Sequence, residues 1–200
     1  MTVREVFELR RQGKIEEAYE TIRPMYAVHK GKYTTLCMFW TASDILKKRI
    51  NEQRFEEAGK ILKALLRILP NIDDTEGRAR ISLLNEALML DRKDKNFNML
   101  DFVSQLNVNL LSNNVWEETA PWESTSCQPR PSIAQQLLTC AFHEIQQAPT
   151  TDNALKVMPL LQEAMHRHPQ DKDNQSYMAV IYRIMGEEEK AIAAHLQQQE

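Results

Sequence analysis

Residues 11–22, RQGKIEEAYETI, match residues 52–62, EQRFEEAGKIL, when the chain is shifted by 40 positions. Ala18 then corresponds to Ala58, and in both segments a large apolar residue lies three positions earlier with two glutamates between. Internal similarity at a period of roughly 20–50 residues is typical of stacked repeat units. The two segments therefore predict two successive helix hairpins with the same internal geometry.

Each shared position has a physical role in such a hairpin. A small residue such as Ala58 lets two helix backbones approach closely, and a large apolar residue such as Phe55 fills the space beside that contact. Gly13 permits a tight turn between the helices, because glycine adopts positive φ at little steric cost. Pro70 follows the second helix of its pair and stops it before the next hairpin begins.

The clearest further copy is YMAVIYRIMGEEEKAIAAHL at residues 177–196, and a weaker one is DKNFNMLDFV at residues 94–103. In the first of these, Ala179, Tyr182 and Gly186 have the spacing of a tetratricopeptide hairpin, so the chain resembles the tetratricopeptide repeat family. The residues that carry this resemblance, and that we expect to pack the repeats, are Gly13, Ile15, Ala18, Phe55, Ala58, Pro70, Ala179, Tyr182, Gly186 and Ala191.

The resemblance implies an all-α fold, an irregular antiparallel helix-hairpin solenoid of about ten helices in which neighbouring hairpins cover one another's apolar faces. Three features depart from the family pattern. The first two repeats are 40 residues apart, where the family spacing is about 34. Gln53 stands where a turn glycine is expected, and Pro24 and Pro159 fall inside second helices, where each kinks the helix or marks a late start. An unrelated helical bundle therefore stays open as the alternative.

Hydrophobic spacing organises the rest of the chain. It predicts three hairpins over residues 1–113, an irregular loop over 114–130 and two hairpins over 131–200, all in one continuous solenoid. The third hairpin is predicted to pair helices at 76–92 and 96–113. These boundaries follow from where apolar residues recur at helical intervals and where they cease to do so.

Trp116 and Trp122 lie in the predicted loop, which carries no helical stripe. Its length is typical of loops that are either functional or disordered. The two tryptophans either pin the loop to the helices or form an exposed contact, and pinning is the favoured interpretation.

Composition and charge narrow the function classes. Only five glycines and eight prolines supply turns among 200 residues, which favours helices over an all-β fold. Residues 1–70 hold 14 Lys/Arg against 9 Asp/Glu, a net of +5, whereas residues 101–200 hold 6 against 13, a net of −7. This asymmetry either orients encounters with a charged partner or reflects two differently solvated halves.

Cysteine usage and hydropathy indicate a cytoplasmic protein. Cys37, Cys127 and Cys140 form no CxxC pair, which suits a reducing compartment. The N-terminal segment is charged from Arg4 onward and lacks the apolar core of a signal peptide. No apolar run approaches the roughly 20 residues that span a bilayer, so we expect no membrane partner.

No catalytic or metal-binding pattern stands out. Cys140 and His143 are three residues apart on a predicted helix beside Glu144, and they could hold a metal or form a nucleophile–base pair. The favoured interpretation is that they are buried packing residues, because their neighbours are apolar. The sequence contains no nucleotide-binding or hydrolase motif. We therefore expect a protein that is not an enzyme and needs no metal or cofactor.

The resemblance also implies a binding surface, since the first helices of each hairpin line a concave groove in the family. Carried over by alignment, the principal groove positions are Arg10, Arg11, Trp40, Lys47, Asn85, Arg92 and Arg183. Further positions on this surface are Ser43, Met89, Ser176 and Val180. The set contains five basic residues and no acid, so it suits a ligand with carboxylates or phosphates, unless these side chains are simply solvated.

The leading functional prediction is a non-catalytic adaptor or scaffold that binds a peptide or partner helix, acidic in character, in this partly basic groove. The alternative is a nucleic-acid-associated helical-repeat protein that uses the basic N-terminal third. It is disfavoured because no Lys/Arg run exceeds residues 47–49. A metal protein or hydrolase around Cys140 is a third hypothesis, and a second copy of this chain is a further candidate partner.

Overall fold

Helices form the regular structure of the computed structural model, which describes residues 2–118, 130–187 and 190. Over these residues it holds α-helices and short 3-10 turns but no extended β-strand, so the all-α prediction is confirmed there. No helix in the described part combines the length and apolarity that crossing a membrane requires. Ala191, Trp122 and the remainder of 119–129 lie outside the described residues.

The chain divides between Phe97 and Asn98 into two compact units, and the first unit is built from helices that pack in sequence. Each helix packs against the next, and the third helix also packs against the first and the fifth. The helices of the first unit are α1 (Val3–Arg11), α2 (Ile15–Val28), α3 (Lys32–Asn51), α4 (Phe55–Ile68) and α5 (Arg78–Lys93).

The 40-residue offset of the sequence repeat reappears in the helix boundaries. α2 begins at Ile15 and α4 at Phe55, while α1 and α3 end at Arg11 and Asn51. Ala18 and Ala58 have no solvent exposure, whereas the side chains of Ile15 and Phe55 are half-buried. The alanines therefore lie in the core, and the larger apolar residues lie at its edge.

Three helix ends share one backbone geometry. Gly13, Gln53 and Gly186 all have positive φ, at 76°, 60° and 76°. In each turn the next amide donates to the carbonyl five positions earlier, over 2.8–2.9 Å. This is the hydrogen bond of a Schellman helix end, which favours glycine because a side chain is strained there. Gln53 thus fills the glycine position without the conformational freedom of glycine.

The side chain of Arg49 on α3 joins the ends of three helices. It is buried, and its guanidinium donates to both carboxylate oxygens of Glu16 on α2, at 2.8 and 3.0 Å. It also donates to Glu57 on α4 and to Glu52, each at 3.0 Å. Hydrogen bonding to Arg49 lowers the pKa of Glu16, and the same bonds raise the pKa of Arg49 further. The glutamates at the starts of α2 and α4 therefore bind a specific cation besides complementing the helix dipole.

Neither internal proline marks a late helix start. Pro24 lies inside α2, and Pro159 lies inside a helix of the second unit that begins at Thr151. Pro70 lies in a 3-10 turn, Leu69–Asn71, directly after α4 ends.

The second unit, Asn98–Glu200, is a separate helical group. Its first helix packs against the next two, and the remaining helices pack in sequence. In the described part these helices are α6 (Met99–Ser104), α7 (Ile133–Gln147), α8 (Thr151–Arg167) and α9 (Lys172–Ile184).

The helix predicted over 96–113 is wrong in its extent. Only Met99–Ser104 is α-helical, and two 3-10 turns follow, Val108–Leu110 and Asn113–Val115. The reason is local, because asparagine side chains compete for backbone amides. Asn107 accepts a hydrogen bond from the amide of Asn109 at 3.2 Å. The segment 98–113 also groups with the second unit, whereas hydrophobic spacing places it in a hairpin with the first.

The turn geometry predicts opposite effects at two equivalent positions. Gln53→Gly should raise the free energy of unfolding by about 0.5–1 kcal/mol, because glycine relieves the positive-φ strain. Gly13→Ala should lower it by about 1 kcal/mol, although no atom lies within 4 Å of the added methyl group. Urea denaturation followed by circular dichroism measures both. A destabilised Gln53→Gly variant would contradict the shared turn geometry.

The Arg49 cluster predicts a large cost for removing one cation. Arg49→Met should lower the free energy of unfolding by about 2 kcal/mol, because three partly exposed glutamates lose their common partner. Lys60→Met is the matched control, since Lys60 pairs with Glu56 at 2.6 Å on the exposed surface of α4. It should leave the urea midpoint unchanged. Equal midpoints for the two variants would show that the Arg49 cluster has no special role.

Candidate functional site

The predicted groove residues of the first unit fall mainly on α1, α3 and α5. Arg11, Asn85 and Arg92 are exposed. Trp40 is half-buried, with its ring edge-on to Phe39 at a centroid distance of 5.3 Å. The predicted groove residues therefore differ in how far they reach solvent.

Acidic side chains outside the predicted groove set form ion pairs with three of its cations. Arg10 forms an ion pair with Asp44, and the ammonium of Lys47 lies 3.3 Å from the carboxylate of Glu86. Arg11 pairs with Glu8 on its own helix at 2.6 Å. The expectation of a cationic surface with no acid is therefore wrong around Arg10 and Lys47, because acids from neighbouring helices complete those pairs.

Glu86 is the most unusual of these acids, because it is buried on the apolar side of α5. Its Oε1 atom accepts hydrogen bonds from the hydroxyls of Ser43 at 2.8 Å and Ser82 at 3.0 Å, besides the contact with Lys47. Its Oε2 atom is buried and has no hydrogen-bond partner. Burial raises the pKa of Glu86, and the hydrogen bond from Ser43 and the charge of Lys47 oppose that rise.

A cavity of about 400 Å³ opens beside Glu86 between α3 and α5. It combines apolar walls with polar groups, and two of the predicted groove residues line it. Met89, a third groove position, is 42% exposed despite its apolar side chain. The lining residues are Lys47, Ile50, Asn51, Ser82, Asn85, Glu86 and Met89. We call this feature the α3–α5 cavity.

A larger cavity, of about 850 Å³, lies between α1 and the start of α3. Arg11 of the predicted set lines it, together with Arg4, Lys32 and the apolar side chain of Phe7. Tyr33 also contributes to its wall and is 72% exposed. The lining of this α1–α3 cavity is more basic than that of the α3–α5 cavity.

Arg183 lies on α9 of the second unit, where its side chain is exposed. Ser176 and Val180 of the same helix are half-buried. Of the packing residues predicted for the last hairpin, Ala179 is fully buried and Tyr182 half-buried, and Gly186 forms the turn described above.

The residues considered for metal or nucleophile chemistry have other surroundings. His143 is exposed, so the interpretation of it as a buried packing residue is wrong, and its Nε2 lies 3.1 Å from the side-chain nitrogen of Gln147. The carboxylate of Glu144 accepts hydrogen bonds from the backbone amides of Met99, at 2.6 Å, and Leu100, at 3.1 Å. Glu144 therefore caps the start of α6. The described residues contain no group of three His, Cys, Asp or Glu side chains placed to hold a metal.

Trp116 is pinned to the helices, as favoured from the sequence. It is 3% exposed, and the guanidinium of Arg167 lies over its ring at 5.0 Å from the centroid. Its backbone carbonyl lies 3.2 Å from a ring nitrogen of His168. The end of α8 therefore holds this part of the chain in place.

A scan against protein-family models, a search of curated proteins and a search of solved structures each returned no match. The function must therefore be argued from the described helices and their side chains.

The capping role of Glu144 predicts that removing its carboxylate destabilises the protein. Glu144→Ala should lower the free energy of unfolding by about 1 kcal/mol, because two amides at the start of α6 lose their acceptor. Glu20→Ala, on an exposed pair with Arg23, is the control and should leave the urea midpoint unchanged. Hydrogen exchange at Met99 and Leu100 should accelerate only in Glu144→Ala. Unchanged exchange there would rule out the capping role.

Proposed function

We propose that this protein is a non-catalytic adaptor or scaffold, built from tetratricopeptide-like hairpins, that binds a peptide or helix of a partner protein. The repeat supports this proposal, since helix boundaries, buried alanines and positive-φ turns recur at one offset in α1–α2 and α3–α4. Such hairpins stack because each leaves an apolar face that its neighbour covers. The packing of α1 on α3 and of α3 on α5 supports a stacked arrangement of hairpins.

The α3–α5 cavity is the observation that carries the proposal. It lies at positions that the family alignment assigns to the binding groove, and it offers apolar walls within a polar rim. Protein interfaces concentrate their affinity in a few apolar anchors that enter such pockets. Met89 is exposed at its edge although an isolated protein gains nothing from hydrating that side chain.

The two cavities differ in net charge, so they favour different segments of the partner. Lys47 is paired with Glu86, so the α3–α5 cavity has little net charge. At the α1–α3 cavity, Arg11 pairs with Glu8 and Lys32 pairs with Asp73, so the further cation Arg4 leaves a net positive charge. An acidic segment of the partner is therefore favoured beside α1 and an uncharged one beside α5.

Binding to nucleic acid ranks second. Phosphate recognition needs cations that are free to contact the backbone, and Arg10, Lys47 and Arg49 of the basic N-terminal third are engaged by acids of this chain. The cytoplasm is the proposed location, because Cys37, Cys127 and Cys140 form no CxxC pair in the sequence.

Charge introduced at Met89 should remove partner binding. Met89→Arg places a guanidinium in the α3–α5 cavity, and we expect it to lose at least one protein that the wild type captures from cell extract. Leu155→Arg is the matched control, because Leu155 is an apolar residue with 52% exposure on α8 of the second unit. Quantitative mass spectrometry compares the three captured sets. Identical sets would refute the groove assignment, provided that circular dichroism shows both variants folded.

A further inference from the structure

The two oxygens of the Glu86 carboxylate differ in how many hydrogen bonds they accept. Ser43, Ser82 and Lys47 all contact Oε1, whereas Oε2 is buried without a donor. An ionised carboxylate has about four acceptor sites, and leaving half of them unmet out of water is costly. A donor placed beside Oε2 would therefore be bound more strongly here than on the open surface.

The site selects the chemical type of that donor. Lys47 already balances the charge of Glu86 at 3.3 Å, so a second cation would meet like-charge repulsion from Lys47. A neutral N–H or O–H group avoids this cost. The group must also carry an apolar body, because Ile50 and Met89 line the cavity through which it approaches.

We propose that the α3–α5 cavity binds a tryptophan or tyrosine side chain of the partner protein, whose single donor bonds to Oε2 of Glu86. This inference rests on the proposed adaptor function and specifies its anchor. An aromatic ring matches a cavity of about 400 Å³, and its one polar atom matches the one unmet acceptor. Glu86 forms part of the cavity wall. Because Oε2 is buried in the unbound protein, the side chain of Glu86 must rotate slightly for this oxygen to meet the donor of the ring.

Aliphatic side chains meet only half of these requirements. Leucine or methionine would contact Ile50 and Met89 but would leave Oε2 without a donor and further from water. A long amide side chain supplies a donor, but it offers less apolar surface than an aromatic ring does for contact with Met89. The aromatic residues with a donor are also those most enriched among interface anchors.

The test uses two fragments that differ by one donor. In NMR titrations of the whole chain, 3-methylindole should bind the wild type about tenfold more tightly than 1,3-dimethylindole, because only the former donates to a charged acceptor. Both should shift the methyl resonance of Met89. In Glu86→Gln the preference should vanish, since the amide oxygen stays with the serine hydroxyls and the amide nitrogen replaces Oε2 with a donor.

The outcomes separate this inference from the adaptor function. Equal binding of the two fragments to the wild type, or no binding of either, would overturn the proposed anchor whether or not Glu86→Gln folds. In either case, partner capture that depends on Met89 would still support the adaptor function. Concentration-dependent dimers that Met89→Arg dissociates would also overturn the proposal, because the occupant would then be a second copy, for instance through its exposed Tyr33.

Discussion

The hairpins of the first unit depend on one buried cation. A guanidinium withdrawn from water must be matched by acceptors in fixed directions. Arg49 finds them on α2, on α4 and at Glu52, directly after the end of its own helix. Because Glu16 and Glu57 lie in the first turns of their helices, the cluster fixes where each second helix begins relative to α3.

The second unit uses the same kind of constraint with different chemistry. Glu144 of α7 supplies acceptors to the first amides of α6, a six-residue helix too short to be stable by itself. The ring of Trp116 lies under the guanidinium of Arg167 at the end of α8, and its backbone carbonyl contacts the ring of His168. In both units, a side chain from one helix contacts the terminus of another helix or a turn. Local structure and tertiary contacts therefore form together.

The sequence predicts the helices and the repeat because these follow from local chemistry. Alanine at a helix contact, positive φ at a turn and proline after a helix depend on neighbours close along the chain, and Gln53 kept the turn even without glycine. The extent of the helix at 96–113 was missed because asparagine caps interrupt an apolar pattern that otherwise continues. The charge around the predicted groove could not be read from the sequence, because pairs such as Arg10 with Asp44 are fixed by helix packing. Glu86 did leave a signal, since a glutamate lies on the apolar stripe of Leu83, Ala87 and Leu90.

The length of α3 has a consequence for how a partner can be held. Tyr33 near its start borders one cavity and Asn51 at its end borders the other, and a separation of 18 residues returns to the same helix face after about five turns. Both cavities therefore border one continuous helix. At the helical rise per residue, the 18 residues between Tyr33 and Asn51 span about 27 Å along its axis. An extended segment of about eight residues covers that distance. A ligand with two anchors at this spacing gains avidity, since seating the first raises the effective concentration of the second.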